Sequence, residues 1–447
     1  MKLNMSVSKI AEITHAQLIA TNPDQAVVSF VTDSRVITKG DAFLALKGKN
    51  HDAREFIPQV LQQGAAVILA EKGFEVPAGT NASFILVDDS LKALQQLARY
   101  HRLHHSLKVA AITGSNGKST TKQMLRAICE TVGETSANMG NFNNQFGVPF
   151  SLLEIQPKHK FGIFELGASH VGDIKETASL AVPDVAVITN ISAAHLEFFH
   201  DLETVFKTKM EIAQCLNSGG TLVYNADDAM LSRLKTQYKG KSISFGFDNA
   251  ADLRLLPTEK FSFIYKEQAY VFDLHFENHN KLNAAAATAA AIAMGIFMDD
   301  IRKGLSRFIP MPMRMEHIQK GNTTFILDCY NANPASMKNA LEILGNKTQK
   351  PLIAVLGDMK ELGETSKEYH RQVARQLLDN HIHTAFLAGH EMKYAYDILK
   401  DNSEISVFYG ETPAVWIKEL AQVVRQGGTC LMKASRSMNF ENIFKEL

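Results

Sequence analysis

The most regular feature of the chain is a series of short apolar segments, each ending in glycine, asparagine or aspartate and followed by a helix-compatible stretch. Near-continuous apolar strands are typical of parallel sheets covered by helices on both faces. The segments are VAAITG (109–114), FGIFELG (161–167), VAVITN (185–190), TLVYN (221–225), FILD (325–328), LIAVLGD (352–358) and FLAG (386–389). Polar residues at strand ends lie where open α/β sheets bind ligands, although any single one can simply cap a helix. The pattern predicts an α/β fold.

The length of 447 residues predicts about three domains, at roughly 150 residues each. FLALKG (43–48) and AAVILA (65–70) predict strands of a first domain, which we place at residues 1–88. The helical stretch at 91–105 leads into the next strand, so we place a central domain at 89–312, ending at a Pro-Met-Pro break. The third domain is then 313–447.

The composition argues against several classes of protein. The 47 basic and 47 acidic residues cancel, which argues against a partner bound by a bulk positive field, such as nucleic acid or a membrane surface. Four scattered cysteines without CxxC spacing favour neither a disulfide framework nor a thiolate zinc site. The alanine-rich run 284–298 is short of the ~20 residues of a membrane span. We expect a soluble, cytoplasmic protein without a membrane span.

The strongest local signal is AAITGSNGKSTTKQML (110–125), in which a strand, a glycine-bearing turn and a helix follow one another. This order directs backbone N–H groups at bound phosphate. Lys118 is placed to hold the β- and γ-phosphates and Ser119 to ligate Mg²⁺. The strict pattern would have glycine at Ile112, so the loop is a shortened variant, and an ordinary strand–helix turn remains the alternative.

Candidate partners of the loop lie downstream. Glu165 ends a predicted strand and is a natural oxygen ligand for Mg²⁺. A lone histidine such as His195 is more often structural, and Lys207 and Lys209 are more often on a solvated helical face. The cluster of Asn141, Asn143 and Asn144 indicates a turn or an amide-lined pocket.

Together, TGSNGKST, GNFNNQFGVP, ELGASH and TNISAAHLE resemble, in order and spacing, the Mur ligase family of ATP-dependent amide-bond-forming enzymes of peptidoglycan synthesis. DCYNANPASM (328–337), LGDMKELGE (356–364) and LMKASRSMNFE (431–441) resemble the member that adds D-alanyl-D-alanine. TDSR (32–35) and GDAFLALKG (40–48) are similar to its UDP-sugar segment. The sequence departs from the residues usual in the family at 52–54, 277–280 and 433–437.

The resemblance implies a small N-terminal α/β UDP-sugar domain, a central P-loop parallel-sheet ATPase domain and a C-terminal Rossmann-like α/β domain. It implies ligation of D-alanyl-D-alanine to UDP-N-acetylmuramoyl-tripeptide through an acyl phosphate, with release of ADP and phosphate. Lys118, Glu165, His195 and a carbamylated Lys209 would be catalytic, with Lys207 on the surface. Two Mg²⁺ ions would be held by Ser119, Glu165, His195 and Lys209.

The remaining implied roles are binding roles, in a chain expected to be a monomer. ATP would contact Gly114, Ser115, Asn116, Gly117, Lys118, Ser119, Thr120, Asn283, Arg314 and Asp328. The other substrates would contact Ser34, Arg35, Asn141, Asn144, Tyr330, Asn331, Asn333, Lys433, Ser435 and Arg436.

Three alternatives share the phosphate loop. One is a sibling ligase that adds a single amino acid, a second is a folylpolyglutamate-synthase-like ligase, and a third is a P-loop NTPase without ligase activity. YNANP together with LGDMKELG favours the D-alanyl-D-alanine-adding member over the first two. The Lys209 constellation disfavours the third.

Overall fold

The computed structural model describes residues 2–48, 52–193 and 196–447, and over these residues the strands form three sheets. Each predicted apolar segment contains a strand, and the helix predicted after the phosphate loop begins at Lys118. The α/β class predicted from the hydrophobic pattern is confirmed.

The N-terminal sheet has the strand order β1-β3-β4-β5-β6-β2, with parallel pairing from β3 to β6 and antiparallel pairing at both edges. Its elements are β1 Lys2–Ser6, α1 Val7–Thr14, β2 Gln17–Ile19, β3 Ala26–Val31, β4 Ala42–Leu44, α2 Ile57–Gln62, β5 Val67–Glu71, β6 Ser83–Val87 and, after the sheet, α3 Ser90–Leu103.

Helix α3 joins the first two sheets. It begins at an Asp89 cap whose side chain accepts from the Lys92 N–H at 2.9 Å. Leu94, Leu97 and Ala98, at helical spacing, are each about 1% exposed or less and lie in one core with residues of both sheets. Since α3 packs on both sides, the boundary between residues 88 and 89 stays a prediction.

The central sheet has the order β15-β14-β13-β12-β11-β10-β7-β9-β8, parallel except at the β13-β14-β15 edge. Its elements are β7 Lys108–Thr113, α4 Lys118–Cys129, β8 Thr135–Ala137, α5 Gly147–Leu153, β9 Phe161–Glu165, α6 Asp173–Ala181, β10 Val185–Ile188, α7 Leu196–Phe199, α8 Leu202–Gln214, β11 Thr221–Asn225, α9 Leu234–Gln237, β12 Lys241–Gly246, β13 Leu253–Leu255, β14 Lys260–Tyr265, β15 Gln268–His275, α10 Asn278–Ala293 and α11 Met298–Ser306.

The alanine-rich run is the buried part of α10. Ala284 to Ala287 and Ala289 to Ala291 are fully buried in the core that also holds Met124 and Leu125 of α4. Small side chains let α10 approach α4 and the sheet closely. The same packing brings Asn283, near the start of α10, to the phosphate loop at the start of α4.

The C-terminal sheet has the order β16-β17-β21-β18-β19-β20, parallel except for the β16-β17 pair. Strand β21, the last in the chain, lies between β17 and β18, so the topology reverses there and brings their polar carboxyl ends together. Its elements are β16 Glu316–Lys320, β17 Thr323–Leu327, α12 Pro334–Gly345, β18 Leu352–Gly357, α13 Ser366–Asp379, β19 Thr384–Ala388, α14 Lys393–Leu399, β20 Ser406–Gly410, α15 Ile417–Arg425, β21 Gly428–Lys433 and α16 Glu441–Glu446.

A histidine of this unit is buried and hydrogen bonded through both ring nitrogens. His370 is fully buried, accepts from the Met359 N–H through Nε2 at 3.0 Å and bonds the Ser366 carbonyl through Nδ1 at 2.8 Å. Burial lowers the pKa of His370 below its ordinary value. A protonated ring would place two N–H donors face to face at Met359, so the folded state favours the neutral form.

We expect His370→Gln to lower the free energy of unfolding by about 1–3 kcal/mol at pH 7.5, because a buried hydrogen-bonding group loses its partner. Since the folded pKa lies below the unfolded one, the contribution of neutral His370 is complete above about pH 6.5 and is lost as the pH falls towards the lowered value. The difference in the free energy of unfolding between wild type and variant should therefore become smaller from pH 7.5 to pH 5.5. Urea unfolding followed through the chain's single tryptophan, Trp416, buried in this unit, measures it. A gap independent of pH would contradict the assignment.

Candidate active site

The phosphate loop connects β7 to α4 and depends on two glycines in the left-handed region. Gly114 has φ 142° and Gly117 has φ 80°. A Cβ at Gly117 would come within 2.2 Å of the Asn283 side-chain oxygen, and one at Gly114 within 2.0 Å of the Thr189 hydroxyl. Because Gly117 precedes α4 and has no side chain, the first N–H groups of the helix are left open to an anion.

Lys118 lies over this loop. Its ammonium group donates to the carbonyls of Gly114 at 2.8 Å and Ser115 at 3.2 Å. Burial lowers the pKa of Lys118, and the nearby Glu165 carboxylate acts in the opposite direction. A phosphate in the loop would offer this ammonium group an anionic partner in place of the two carbonyls.

Glu165, at the end of β9, is 3% exposed and hydrogen bonded at both carboxylate oxygens. Its Oε2 accepts from the Ser119 hydroxyl at 2.7 Å and its Oε1 from the Asn143 amide at 3.0 Å. Burial is the largest single influence and opposes ionisation, but the ammonium groups of Lys118 and Lys122 and the hydrogen bonds from Ser119 and Asn143 together lower the pKa of Glu165. The carboxylate is therefore an anion at neutral pH.

The Ser119–Glu165 pair fits a hard cation. Both groups offer oxygen, which Mg²⁺ prefers. Among the residues that the structure describes, no group of three or more His, Cys, Asp or Glu side chains converges on one point. Mg²⁺ commonly binds through one or two protein oxygens, completing its shell with phosphate and water, so this donor set suits Mg²⁺–nucleotide better than a protein-only metal cage.

Lys209 lies on α8, and its side chain lines a cavity that the phosphate loop also lines. It is 3% exposed, whereas Lys207, two residues earlier, is exposed. Burial, and to a lesser degree the charge of Lys118, lower the pKa of Lys209 to about 7. The lowered pKa favours the neutral, nucleophilic form of this amine relative to an exposed lysine.

The C-terminal unit completes the site. Arg314 donates to the Ser119 hydroxyl at 3.0 Å, and its guanidinium lies 3.9 Å from the Tyr330 ring centroid. Asn333 donates from its amide to Asn116 of the phosphate loop at 2.8 Å, while its oxygen caps α12. The phosphate loop is thus hydrogen bonded to the unit that follows it in the chain.

Most of the predicted site residues line one cavity of about 820 Å³ between the central and C-terminal units. The predicted residues found there are Gly114, Ser115, Asn116, Gly117, Lys118, Ser119, Thr120, Asn144, Glu165, Lys209, Asn283, Arg314, Asp328, Tyr330, Asn331, Asn333 and Lys433. Lys433 donates to Asp328 at 2.5 Å, which holds two strand ends together. His195 lies outside the described residues.

Five predicted substrate residues are not in the cavity lining, among the residues described. Arg35, 83% exposed at its side chain, pairs with Asp33 at 2.6 Å. Ser435 accepts from the Lys360 N–H at 2.9 Å, and Arg436 pairs with Glu441 at 2.5 Å. The complete set is Ser34, Arg35, Asn141, Ser435 and Arg436. Their roles stay predictions.

Sequence reasoning missed Lys122 and Asn138, which surround Glu165. Lys122 lies four residues after Lys118 in α4, a spacing that places both side chains on one face of a helix. That spacing was a usable signal for Lys122. Asn138 follows β8, and its contact is with Glu165 on the neighbouring strand β9, 27 residues later in the chain, so no local pattern indicates it.

Fold and site together define a three-unit α/β nucleotide-binding protein with a phosphate loop facing the third unit. Three family models match the chain: "Mur ligase family, catalytic domain" at residues 27–102, "Mur ligase middle domain" at 112–291 and "Mur ligase, glutamate ligase domain" at 313–436. The chain belongs to the Mur ligase family. The family predicted from the sequence is confirmed.

Individual relatives extend the match over the whole chain. UDP-N-acetylmuramoyl-tripeptide–D-alanyl-D-alanine ligase of Bacillus subtilis is 32% identical, covering 100% of this chain and 98% of the relative. A crystal structure of MurF from Acinetobacter baumannii superposes with a TM-score of 0.91 at 30% identity, covering 99% and 98% of the two chains. The structure of MurF ligase from Thermotoga maritima in complex with ADP superposes with a TM-score of 0.83 at 30% identity, covering 93% of this chain and 96% of the other. No helix within the described ranges is long and apolar enough to cross a membrane.

Proposed function

We propose that the chain is an ATP-dependent ligase that joins D-alanyl-D-alanine to UDP-N-acetylmuramoyl-tripeptide. The observation that carries the proposal is the shared cavity, in which the phosphate loop meets the strand ends of the C-terminal unit. Full-length similarity to ligases of this name, and to a structure with ADP bound, supports it. The reaction gives the pentapeptide precursor of peptidoglycan, in the cytoplasm where ATP is available.

The reaction has two balanced steps. The terminal carboxylate of the tripeptide attacks the γ-phosphorus of ATP, forming an acyl phosphate while ADP leaves. The amine of D-alanyl-D-alanine then attacks the acyl carbon, phosphate leaves, and the amine loses a proton as the amide forms. Both steps bring anions together, so they need charge neutralisation and positioning from the protein.

The described residues are arranged for these tasks. Lys118 and the open N-terminus of α4 bind the phosphates, and Arg314 adds a second cation at Ser119. Mg²⁺, held by Ser119 and Glu165, would neutralise phosphate charge. Closure of the units around bound substrates would exclude water, which would otherwise hydrolyse the acyl phosphate.

A carbamate on Lys209 is the finer part of the proposal. The neutral amine of Lys209 adds to CO₂ and releases a proton, giving an anionic oxygen donor. A buried, cavity-facing lysine with a pKa of about 7 suits this addition, because the neutral amine is the form that reacts with CO₂. The carbamate also suits Mg²⁺, which an ammonium group would repel. With Glu165 and His195, the carbamate would serve the second Mg²⁺ site.

The three units divide the substrates. We assign the UDP end to residues 1–88, ATP to 89–312 and the dipeptide to 313–447, in a monomer. Ser34 and Arg35 belong to the first role, since the guanidinium fork suits a diphosphate. The acyl and dipeptide sites are assigned to Asn141, Asn144, Tyr330, Asn331, Asn333, Lys433, Ser435 and Arg436.

Phosphate release should require ATP, UDP-N-acetylmuramoyl-tripeptide and D-alanyl-D-alanine together, with the pentapeptide found by mass spectrometry. Replacing the dipeptide with single amino acids should abolish product, which separates this function from that of sibling ligases. Rapid ATP hydrolysis without either co-substrate, and no amide with both, would identify a P-loop NTPase instead.

A further inference from the structure

A second lysine of α4 is buried behind the phosphate loop. Lys122 is fully buried, and its ammonium group donates to the Asn138 carbonyl at 2.8 Å. The same nitrogen lies 3.9 Å from Glu165 Oε2, with side-chain exposures of 1% and 4% for the two residues. Lys122 is not among the described residues that line the cavity, so its effect on a bound nucleotide must pass through a neighbour.

Asn138 connects Lys122 to the backbone of Glu165. Its amide oxygen accepts from the Glu165 N–H at 3.0 Å and its amide nitrogen donates to the Glu165 carbonyl at 2.9 Å. These two bonds join the Asn138 side chain to Glu165 just beyond the end of the β8–β9 ladder, whose last pair is Ala137 with Ile163. Lys122 therefore touches both the carboxylate of Glu165 and the residue that fixes its backbone.

Burying a lysine at this position is unfavourable in free energy. A buried ammonium group costs free energy unless it is paired and hydrogen bonded, and an apolar side chain of similar length packs as well or better. Helix α4 already buries Met124 and Leu125. A purely structural role would be met by another methionine.

We propose that Lys122 is a positioning residue that holds the Glu165 carboxylate, together with Asn138, in the orientation that receives phosphate-bound Mg²⁺. The ammonium group attracts Oε2 from behind while Ser119 binds the same oxygen at 2.7 Å from the cavity side. With Asn143 on Oε1, the carboxylate is bound at both oxygens before any cation arrives. The inference rests on the proposed use of Mg²⁺–ATP.

Calorimetric titration of ADP into the full chain, with and without Mg²⁺, tests the role apart from turnover. Lys122→Met should bind ADP without Mg²⁺ within about twofold of wild type, because Lys122 does not line the cavity. It should lose about tenfold or more of the affinity gained from Mg²⁺ and need about tenfold more Mg²⁺ for half-maximal ligation, as for other partners of metal ligands. Arg126→Met, which removes a half-exposed cation one turn further along α4, should match wild type.

An unchanged Mg²⁺ response in Lys122→Met would overturn the inference, and so would an equal loss of ADP binding with and without Mg²⁺. If that variant does not fold, Lys122→Gln carries the same expectation, because it also removes the charge. A wild-type chain that gains ADP affinity from Mg²⁺ yet forms no amide would refute the ligase proposal, while a lost gain in Lys122→Met would still support the inference.

Discussion

Lys118→Ala should abolish ligation, with kcat/KM falling about 1000-fold or more, the scale associated with losing a cation from a transferring phosphoryl group. The ammonium group of Lys118 rests on two loop carbonyls at the cavity, so its loss removes phosphate binding and little core packing. Phosphate release and pentapeptide formation with all substrates measure the effect. Circular dichroism and Trp416 fluorescence should match those of wild type.

A matched control for Lys118 lies at the opposite end of β7. Lys108 is exposed and donates to the Met294 carbonyl at 2.9 Å, far from the carboxyl edge of the sheet. Lys108→Ala should keep near-normal kcat/KM. Ligation by Lys118→Ala at a rate comparable with Lys108→Ala would show that the loop does not act on the phosphates of ATP.

The parallel core of the fold was predictable because burial on both faces of a strand leaves a local apolar signature. The segments at 109–114, 161–167 and 352–358 each contain a strand at or within a residue or two of those limits. The antiparallel β14–β15 pair was not predicted, since the largely exposed β15 lacks the continuous apolar run that marks the parallel strands. Helix α3 was predicted, but its packing against two sheets was not visible in its own sequence.

The site was predictable where residues adjoin the phosphate loop or end a strand. Lys118, Ser119 and Glu165 follow from that local chemistry, whereas Lys209 required the family resemblance because a helical lysine is usually solvated. The Asn116–Asn333 amide pair joins residues far apart in the chain, in two different units. Its partners could be specified only once the third sheet was packed against the loop.

Lys209→Ala should lose most ligase activity, about 100-fold or more in kcat, and short carboxylic acids such as acetate or formate should restore part of it. The substitution opens space beside the cavity, where a small carboxylate can present the anionic oxygens assigned to the carbamate. Ligation rates across a series of acid concentrations measure the rescue.

Lys207→Ala is the matched control for Lys209, because the two lysines differ by about 200° around α8 and Lys207 is exposed. It should keep near-normal activity, and added acids should not change its rate. Wild-type enzyme held free of CO₂ should also lose activity and regain it with bicarbonate, whereas Lys209→Ala should not respond to bicarbonate at millimolar levels. Near-normal ligation by Lys209→Ala, or an unmodified ammonium group in a high-resolution ligand complex, would rule out the carbamate. Loss of activity in Lys209→Ala without rescue by any small acid would contradict the carbamate, because a carbamate should be replaceable by a carboxylate. The unmodified amine of Lys209 would then be the active group.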